Sequence, residues 1–255
     1  MKVCLSQITS KLSRDNIKKH LRYVSVAKED GCDLVIFPEL SLNGYRMMDL
    51  VFEDAYNIED LMLLKNASKD IDILAGAALR SGHKIYNSAI YFSNSEILNI
   101  YHKNTLPNYG MFEEARFFFA GDTISSFSTK FGIAVCVICE DLWNVKIIDK
   151  IVSIKPDFVY VISSSPARGF SNEGIEIENK WNSILSVTAG LSGTYTIFVN
   201  RVGFEDGLGF WGGSRVVNPK GLIEKKASLF EEELLEVELF NNLSKTEKYL
   251  LRINE

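Results

Sequence analysis

Apolar residues in this chain occur in short continuous runs, and the segments between the runs carry apolar residues at helical spacing. Runs this rich in β-branched residues are typical of strands buried on both faces. They predict strands at 2–8, 33–37, 71–79, 132–139, 157–164 and 194–200. Helices are predicted between Ser13 and Gly31, over 49–70, from Leu142 onward and over 174–190. Segments 86–93 and 96–103 flank Asn94-Ser95 and predict a hairpin.

The alternation of strands and helices favours an α/β fold, with a sheet covered by helices. We expect one domain over 1–240, followed by a polar, partly helical tail at 241–255. Segment 104–121 has no clean periodicity but contains five aromatic residues, so we expect it to cover another part of the molecule. Residues 201–213 are expected to form a glycine-rich connection, with strand pairs after it through Leu239.

Composition excludes several classes of function. Of the 255 residues, 46% are hydrophobic and 24% are charged, which is ordinary for a globular protein. The net charge of −5 argues against a general nucleic-acid surface. No apolar run approaches the roughly 18–20 residues that span a bilayer, and the N-terminus predicts a strand rather than a signal peptide. The four cysteines lack the spacing of a secreted disulfide framework, so we expect a reducing cytoplasm.

Cys139 is placed where the central strand, 132–139, ends and the next helix is predicted to begin. A rigid strand end and the N–H groups of a helix start both favour a reactive thiolate. A buried core thiol is the commonest state of a free cysteine, and position alone leaves this alternative open. A redox or metal pair with Cys136 is disfavoured, because strand residues three apart point to opposite faces and no second pair follows at zinc spacing.

Two other predicted strands also end in residues with chemistry. Glu39 follows strand 33–37, and Lys103 ends strand 96–103. Sites in α/β sheets gather at the carboxyl ends of strands, where these residues and Cys139 would supply a base, a cation and a nucleophile. Spacing alone leaves this as one hypothesis among several. The three histidines are too scattered to predict a metal site, and strand alternation points His102 away from Lys103.

Three motifs occur in the order found in the nitrilase, or carbon–nitrogen hydrolase, superfamily. The motifs are Phe37-Pro38-Glu39-Leu40 with Gly44-Tyr45, then His102-Lys103-x-x-Leu106-Pro107-Asn108-Tyr109-Gly110-x-Phe112-x-Glu114-x-Arg116, then Cys139-Glu140-Asp141-x-Trp143. Segment 210–221 also resembles the C-terminal pattern of the superfamily. The resemblance extends over about residues 1–230 and is strongest to the glutamine-amidotransferase domain of glutamine-dependent NAD synthetase.

This resemblance implies a four-layer αββα sandwich with a catalytic triad of Glu39, Lys103 and Cys139. Cys139 would attack a carboxamide carbonyl. Glu39 would take the thiol proton, pass it to the leaving ammonia and then activate water. Lys103 and the backbone N–H of Glu140 would stabilise the oxyanion.

The resemblance also implies supporting residues around the triad. Glu114 would orient the catalytic lysine or the substrate. Tyr109 and Glu140 match positions that hold the substrate amide or α-amino group, with a packed aromatic and a solvated carboxylate as the alternatives. Ser165 matches a loop position that contacts glutamine, although the residues after it depart from the family pattern. Arg168 lies in that departure and is a candidate partner for a substrate carboxylate, with a surface arginine as the alternative.

The resemblance therefore implies an amidase without metal or cofactor, which hydrolyses a small carboxamide to an acid and ammonia through a thioester. One alternative is a glutaminase subunit that delivers ammonia to a separate synthetase, since no phosphate-loop motif follows. Hydrolysis of nitriles or N-carbamoyl compounds is another. An idle scaffold is disfavoured because all three triad residues are intact. Family members pair as homodimers, so we expect a dimer or a higher homo-oligomer.

Overall fold

A computed structural model describes residues 1–172 and 174–240 of the chain. Its strands are β1 (Lys2–Gln7), β2 (Leu34–Ile36), β3 (Asp72–Ser81), β4 (Lys84–Ser93), β5 (Glu96–His102), β6 (Ser126–Thr129), β7 (Gly132–Ile138), β8 (Phe158–Ser163), β9 (Phe170–Ser171), β10 (Gly174–Ile175), β11 (Tyr195–Asn200), β12 (Val202–Glu205), β13 (Leu208–Trp211), β14 (Arg215–Val217), β15 (Ile223–Lys226) and β16 (Glu233–Glu238). Its α-helices are α1 (Asn16–Glu29), α2 (Val51–Asp54), α3 (Met62–Ala67), α4 (Glu114–Phe117), α5 (Val145–Ile154) and α6 (Glu176–Ser192). Short 3₁₀ turns occupy Met48–Leu50, Ile58–Leu61 and Cys139–Trp143. The tail predicted at 241–255 lies outside the described residues.

Two six-stranded sheets have related topologies. The first has the order β16-β1-β2-β3-β4-β5, and the second has the order β15-β14-β11-β8-β7-β6. Strands β1, β2 and β3 are parallel, as are β7, β8 and β11, and the outer pairs of both sheets are antiparallel. Parallel neighbours need long crossovers, and the helical segments supply them.

Three apolar layers hold the sheets and helices together. The layer between the sheets contains side chains of the first sheet, such as Leu5 and Ile36, and of the second, such as Ile138 and Ile162. Helices α1 and α3 cover the outer face of the first sheet, and α5 and α6 cover that of the second. The predicted α/β class and the four-layer αββα sandwich are therefore confirmed.

Strand β7 shows why its sequence is apolar throughout. Cys136 and Ile138 face the layer between the sheets, while Val135 and Val137 face α5 and α6. Both faces are buried, as predicted. Burial also raises the pKa of the Cys136 thiol. Cys139 follows the end of this strand, and both cysteines are free thiols.

The single helix predicted over 49–70 is wrong. The chain instead forms two short turns and the helices α2 and α3, with a break at Tyr56. The Tyr56 N–H donates to the Ala78 carbonyl at 2.8 Å, and the Arg80 N–H donates to the Tyr56 carbonyl at 2.8 Å. Tyr56 therefore pairs with β3 instead of continuing a helix. Tyr56 is buried, as a residue on the apolar face of a helix would be. The spacing of apolar residues therefore does not reveal the break.

The hairpin predicted around Asn94-Ser95 is confirmed as β4–β5. Asn94 and Ser95 have φ values of 51° and 60°, the left-handed conformation that both central residues of a type I′ hairpin turn adopt. The connection predicted at 201–213 contains a second hairpin, β12–β13. Because this connection is rich in glycine, the pattern of apolar residues did not predict the short strands β12 and β13.

The aromatic segment 104–121 covers another part of the molecule, as predicted, and the structure shows that this part includes residues of the first sheet. Phe117 and Phe118 are buried in a cluster with Leu40, Val51 and Ile85. The segment also contains the single turn α4. Packing of these aromatics therefore holds α4 against the molecule, at the position from which Glu114 enters the site.

The functional strand ends lie at one edge of the sandwich. Strands β2 and β5 run in the same direction, since two antiparallel pairings separate β3 from β5. Glu39 and Lys103 follow them, and the Lys103 N–H donates to the Asn87 carbonyl at 2.8 Å. In the second sheet, the parallel strands β7 and β8 lead to Cys139 and Ser164. In the described part of the chain, no helix is both long and apolar enough to cross a membrane.

Candidate active site

Glu39 is a buried carboxylate with three hydrogen-bond donors, and only 1% of the residue is exposed. Its Oε1 accepts from Lys103 Nζ at 2.7 Å and from Asn87 Nδ2 at 2.8 Å. Its Oε2 accepts from the backbone N–H of Ser164 at 2.7 Å. These donors compensate for the removal of the charge from water and orient both oxygens.

Lys103 is completely buried and lies between two carboxylates. Its Nζ donates to Glu39 Oε1 at 2.7 Å and to Glu114 Oε1 at 2.8 Å. Burial alone would lower the pKa of Lys103, but the charges of Glu114 and Glu39 outweigh it and raise the pKa well above its usual value. Lys103 therefore remains an ammonium ion at neutral pH.

Glu114 meets the lysine from the side of the aromatic segment. Burial raises the pKa of Glu114 to about 7; the charge of Lys103 opposes this rise and that of Glu39 adds to it. The Tyr45 hydroxyl donates to Glu114 Oε1 at 2.6 Å. The hydrogen bond from Lys103 to Glu114 is the contact that the expected role of Glu114 in orienting the lysine requires. Glu114 gains or loses its proton near neutral pH, unlike Lys103.

Cys139 begins the 3₁₀ turn Cys139–Trp143 and has a φ of 46°. A non-glycine residue in this region costs about 1–3 kcal/mol, and such strain is concentrated at functional sites. The helix predicted from Leu142 begins later, at Val145. The prediction that an α-helix start stabilises the thiolate is therefore wrong, because a single 3₁₀ turn separates Cys139 from α5.

The Cys139 thiol is half-buried and stays protonated at rest. Burial raises its pKa well above the usual value, and the charge of Glu39 adds to the rise. The charge of Lys103 and a hydrogen bond from Ser163 Oγ to Sγ at 3.3 Å act in the opposite direction. A reaction at this sulfur would therefore need a base, and Glu39 is the carboxylate whose charge acts on this thiol most strongly.

Asp141 joins the two sheets at the site. Its Oδ1 accepts from the backbone N–H groups of Asn104 at 3.0 Å and Thr105 at 2.7 Å. Its Oδ2 accepts from the Tyr101 hydroxyl at 2.8 Å and the Ile138 N–H at 3.1 Å. The turn that begins at Cys139 is thus hydrogen-bonded to the segment that follows Lys103.

Three of the predicted substrate-binding residues line one open cleft of about 230 Å³. The lining residues are Tyr109, Glu140, Trp143, Arg168, Glu176, Ile177 and Lys180. Tyr109 donates to Glu140 Oε1 at 2.9 Å, and burial together with this carboxylate raises the pKa of Tyr109 to about 12. The Arg168 guanidinium lies 5.6 Å from the centre of the Phe112 ring. Glu140 follows Cys139 in the same turn, and the Tyr109 phenol also interacts electrostatically with Cys139, so two lining residues are neighbours of this cysteine.

Ser165 does not belong to the residues that line this cleft. It is buried, and its Oγ accepts from Trp181 Nε1 at 3.0 Å and from Trp211 Nε1 at 3.4 Å. Its backbone N–H donates to Asn200 Oδ1 at 2.9 Å. Both acceptor positions of the hydroxyl are therefore occupied by tryptophans, and only its proton is left for another partner.

The three histidines lie apart, as predicted. His20 is buried against Ser41, with 2.9 Å between Nε2 and Oγ. His102 stacks on Tyr86 with 4.0 Å between ring centres, and His83 is exposed. Among residues 1–172 and 174–240, no group of three or more His, Cys, Asp or Glu side chains is arranged to hold a metal ion.

Four residues of the site carried no role in the sequence analysis. They are Tyr45, Asn87, Ser163 and Ser164. The sequence does carry a signal for three of them, Asn87, Ser163 and Ser164. Asn87 is a buried polar residue in the strand β4, Ser163 ends the otherwise apolar β8, and Ser164 follows it directly. A polar side chain in a buried strand needs a partner, but the sequence does not name that partner.

Comparison with known proteins identifies the family. A family model described as carbon-nitrogen hydrolase matches residues 2–247. The glutamine-dependent NAD(+) synthetase of Thermotoga maritima is 32% identical over 249 residues, which cover 94% of this chain and 42% of that protein. The chain spans about two fifths of the length of the curated relatives it matches.

Solved structures have the same fold. The glutamine-dependent NAD+ synthetase of Acinetobacter baumannii has a TM-score of 0.82 at 27% identity, over 99% of this chain and 50% of that chain. An amidase mutant from Nesterenkonia, whose active-site cysteine carries the acetamide moiety of fluoroacetamide, has a TM-score of 0.83 at 22% identity, over 98% of this chain and 92% of that chain. This chain therefore belongs to the carbon–nitrogen hydrolase family of the nitrilase superfamily, whose members act on carbon–nitrogen bonds.

Proposed function

We propose that this chain is a cysteine-dependent amidase that hydrolyses a small carboxamide to a carboxylic acid and ammonia. The observation that carries the proposal is the buried Lys103 ammonium, which contacts both Glu39 and Glu114 next to the Cys139 turn. A nucleophile, a base and a fixed positive charge at one strand edge suit acyl transfer. The protonation states of Cys139 and Lys103 also suit different roles, since the thiol is protonated at rest while Lys103 keeps its charge.

In the first step, Glu39 accepts the thiol proton while Cys139 Sγ forms a bond to the carboxamide carbon. The π electrons of the carbonyl move to its oxygen. Lys103 and the backbone N–H of Glu140 stabilise this oxyanion, and one such donor contributes about 3–4 kcal/mol in other enzymes. As the carbonyl re-forms, the C–N bond breaks and the nitrogen takes the proton from Glu39. Ammonia leaves, and a thioester remains on Cys139.

In the second step, Glu39 is again a carboxylate and removes a proton from water. The water oxygen attacks the thioester carbon, and the same donors stabilise the second oxyanion. Its collapse breaks the C–S bond, and the proton on Glu39 returns to the sulfur. The free acid leaves and the thiol is restored. The balance is one amide and one water consumed for one acid and one ammonia.

The charges of the cleft favour a substrate that carries both an ammonium and a carboxylate group. Glu140 offers a carboxylate that Tyr109 holds in place. The Nε atom of Arg168 is buried without a hydrogen-bond partner in the described part of the chain, so a substrate carboxylate would satisfy it. An amino acid with an ω-carboxamide has these groups at one end and the scissile bond at the other. We assign no substrate contact to the Ser165 side chain beyond its hydroxyl proton.

A glutaminase subunit that delivers ammonia to a separate synthetase is the second candidate. The observation in its favour is similarity to proteins named glutamine-dependent NAD(+) synthetases, of which this chain spans about two fifths. Such a subunit would have low activity alone and gain activity with its partner. We also propose a cytoplasmic location, because the four cysteines are free thiols, and a homodimer, which sedimentation velocity would test.

The test of the proposed function is ammonia release by the purified protein with a panel of compounds. The panel contains glutamine, asparagine, ω-amides of dicarboxylic acids, N-carbamoyl amino acids and simple nitriles, and the Cys139→Ala variant is the control. Release from one amide that is lost in the variant supports an amidase. Release only from a nitrile or an N-carbamoyl compound would assign the site to that chemistry. Release that persists in Cys139→Ala would refute the mechanism.

A further inference from the structure

We propose that Ser163 is a further catalytic residue, whose hydroxyl donates a hydrogen bond that stabilises the Cys139 thiolate while Glu39 holds the proton. The inference rests on the proposed function, in which Cys139 is the nucleophile. Ser163 keeps its own proton throughout and supplies only the hydrogen bond. This role differs from that of the oxyanion donors, because it acts on the sulfur and not on the carbonyl oxygen.

The position of Ser163 supports this role. Ser163 is the last residue of β8 and is completely buried, and its Oγ lies 3.3 Å from Cys139 Sγ. Its backbone is fixed by the sheet: it pairs with Asn200 of β11, and its carbonyl accepts from the Arg201 N–H at 3.0 Å. A hydroxyl on a buried strand end is held in place before the reaction, so little ordering is needed when the charge develops.

The surroundings of the sulfur give this hydrogen bond its importance. Charged groups that act on Cys139 are Glu39 after β2, Lys103 after β5 and Glu140 on the turn itself; the Tyr45 and Tyr109 phenols also interact with it. Both carboxylates disfavour a thiolate. Lys103 favours it, but two of the three Lys103 N–H donors already serve carboxylates. Ser163 is therefore a neutral hydrogen-bond donor to the sulfur, at a position where burial and two carboxylates disfavour the thiolate.

The neighbouring serine has a different task, which separates the two residues. Ser164 donates through its backbone N–H to Glu39 Oε2 and through its hydroxyl to the Glu39 carbonyl at 2.8 Å. The last residue of β8 and the residue after it therefore contact both partners of the proton transfer, with Ser163 at the sulfur and Ser164 at the base. The Ser163 contact strengthens when the sulfur gains its charge, whereas the Ser164 N–H contact weakens because Glu39 takes up the proton at the same time.

The experiment measures alkylation of Cys139 by iodoacetamide as a function of pH, followed by mass analysis of the peptide that contains Cys139. In this reaction an S–C bond forms, the C–I bond breaks and iodide leaves, so the rate follows the thiolate fraction. In Ser163→Ala we expect alkylation about 10- to 100-fold slower at neutral pH, as for a lost hydrogen bond to a charged group. The pH midpoint should rise by about 1–2 units, and the rates should converge at high pH.

A matched pair of variants separates the hydroxyl from packing. Ser163→Thr and Ser163→Val have the same shape and differ in the hydroxyl. We expect Thr to behave like the wild type and Val to behave like Ala. Ser6→Ala removes a buried strand serine outside the site and should leave the profile unchanged. Circular dichroism checks that each variant folds.

Two results would overturn the proposal. One is an Ala or Val variant with the wild-type pH midpoint and rate. The other is a rate lowered by the same factor at every pH, which indicates a packing defect only. Alkylation needs no amide turnover, so silence on the amide panel together with the expected shift counts against the stand-alone amidase, favours the glutaminase subunit and leaves the role of Ser163 intact.

Discussion

Lys103 Nζ donates to Glu39 Oε1 at 2.7 Å, and neither side chain is exposed to solvent. Water therefore cannot solvate either charge when its partner is removed. Breaking a buried pair in this way typically costs about 3–5 kcal/mol, far more than loss of a surface ion pair. A substitution that breaks the pair should therefore lower both the unfolding free energy and the activity.

Replacement of Lys103 by Met tests this expectation. Lys103→Met removes the ammonium and leaves Glu39 and Glu114 facing each other without a cation. We expect unfolding free energy to fall by about 3–5 kcal/mol. Turnover should fall by at least about a hundredfold, since an oxyanion donor is lost. Urea denaturation and ammonia release with the best amide measure the two effects.

The double variant Lys103→Met/Glu39→Gln is the control for this prediction. It removes one of the two stranded carboxylates, so part of the lost stability should return while activity stays absent. If the single variant is as stable as the wild type, the two charges are not held out of water as described.

The Tyr45 hydroxyl sets the pH range in which Glu114 is ionised. It donates to Glu114 Oε1 at 2.6 Å and so favours the charged carboxylate, whose pKa is about 7. Ionised Glu114 holds Lys103, so activity should rise as pH increases through about 7. In Tyr45→Phe the pKa of Glu114 should rise, and the acidic limb of kcat/KM should move up by about 1 pH unit.

The control for this shift is Tyr56→Phe, which removes a hydroxyl that contacts Arg14 and not the site. Its acidic limb should coincide with that of the wild type. An unchanged limb in Tyr45→Phe would mean that Glu114 does not govern the pH profile.

The positions at strand ends predicted much of the candidate site. The residues that the sequence did not predict take part in contacts between strands, between sheets or between the segments that follow them. Glu39, Lys103 and Cys139 each follow an apolar run, and local pattern reveals such positions. The contact between Ser163 and Cys139 joins the last residue of β8 to the turn that follows β7, and it depends on the register of these two strands. Register is a property of the assembled sheet and is not written in either strand alone.

The errors in the fold have a similar origin. Tyr56 has the spacing of a helix face, but its backbone pairs with β3, so tertiary contacts override the local preference. Cys139 precedes an apolar helical pattern, yet the helix begins at Val145, after an Asn144 side chain that accepts from the Lys146 N–H at 3.1 Å. A cap three residues closer to Cys139 would have been needed for the predicted helix start.

His20 makes folding stability depend on pH. It is fully buried, and because its Nδ1 faces the Asn16 carbonyl, Nδ1 carries the proton and Nε2 accepts from Ser41. Burial lowers the pKa of His20 to about 4. Between pH 6.5 and 4 the unfolded chain binds a proton that the folded chain does not, so stability falls as pH falls, by up to about 3 kcal/mol.

Substitution of His20 by Gln should flatten this dependence. We expect the slope of unfolding free energy between pH 6.5 and 4.5 to be smaller in His20→Gln than in the wild type. Urea denaturation at several pH values measures it, and the difference between the two proteins removes contributions from other groups. Equal slopes would show that His20 is not the group responsible.

Replacement of Asp141 by Asn, its neutral isostere, should weaken the link between the two sheets. All four groups that contact its oxygens are donors, so an Asn side chain would place an N–H₂ group against two of them. We expect Asp141→Asn to lose about 2–4 kcal/mol of unfolding free energy. The control Tyr101→Phe removes one donor and leaves the other three in place, so its loss should be about 1 kcal/mol. Both are measured by urea denaturation. Equal losses in the two variants would contradict the view that Asp141 ties the Cys139 turn to the segment after Lys103, because Tyr101 would then account for the whole effect.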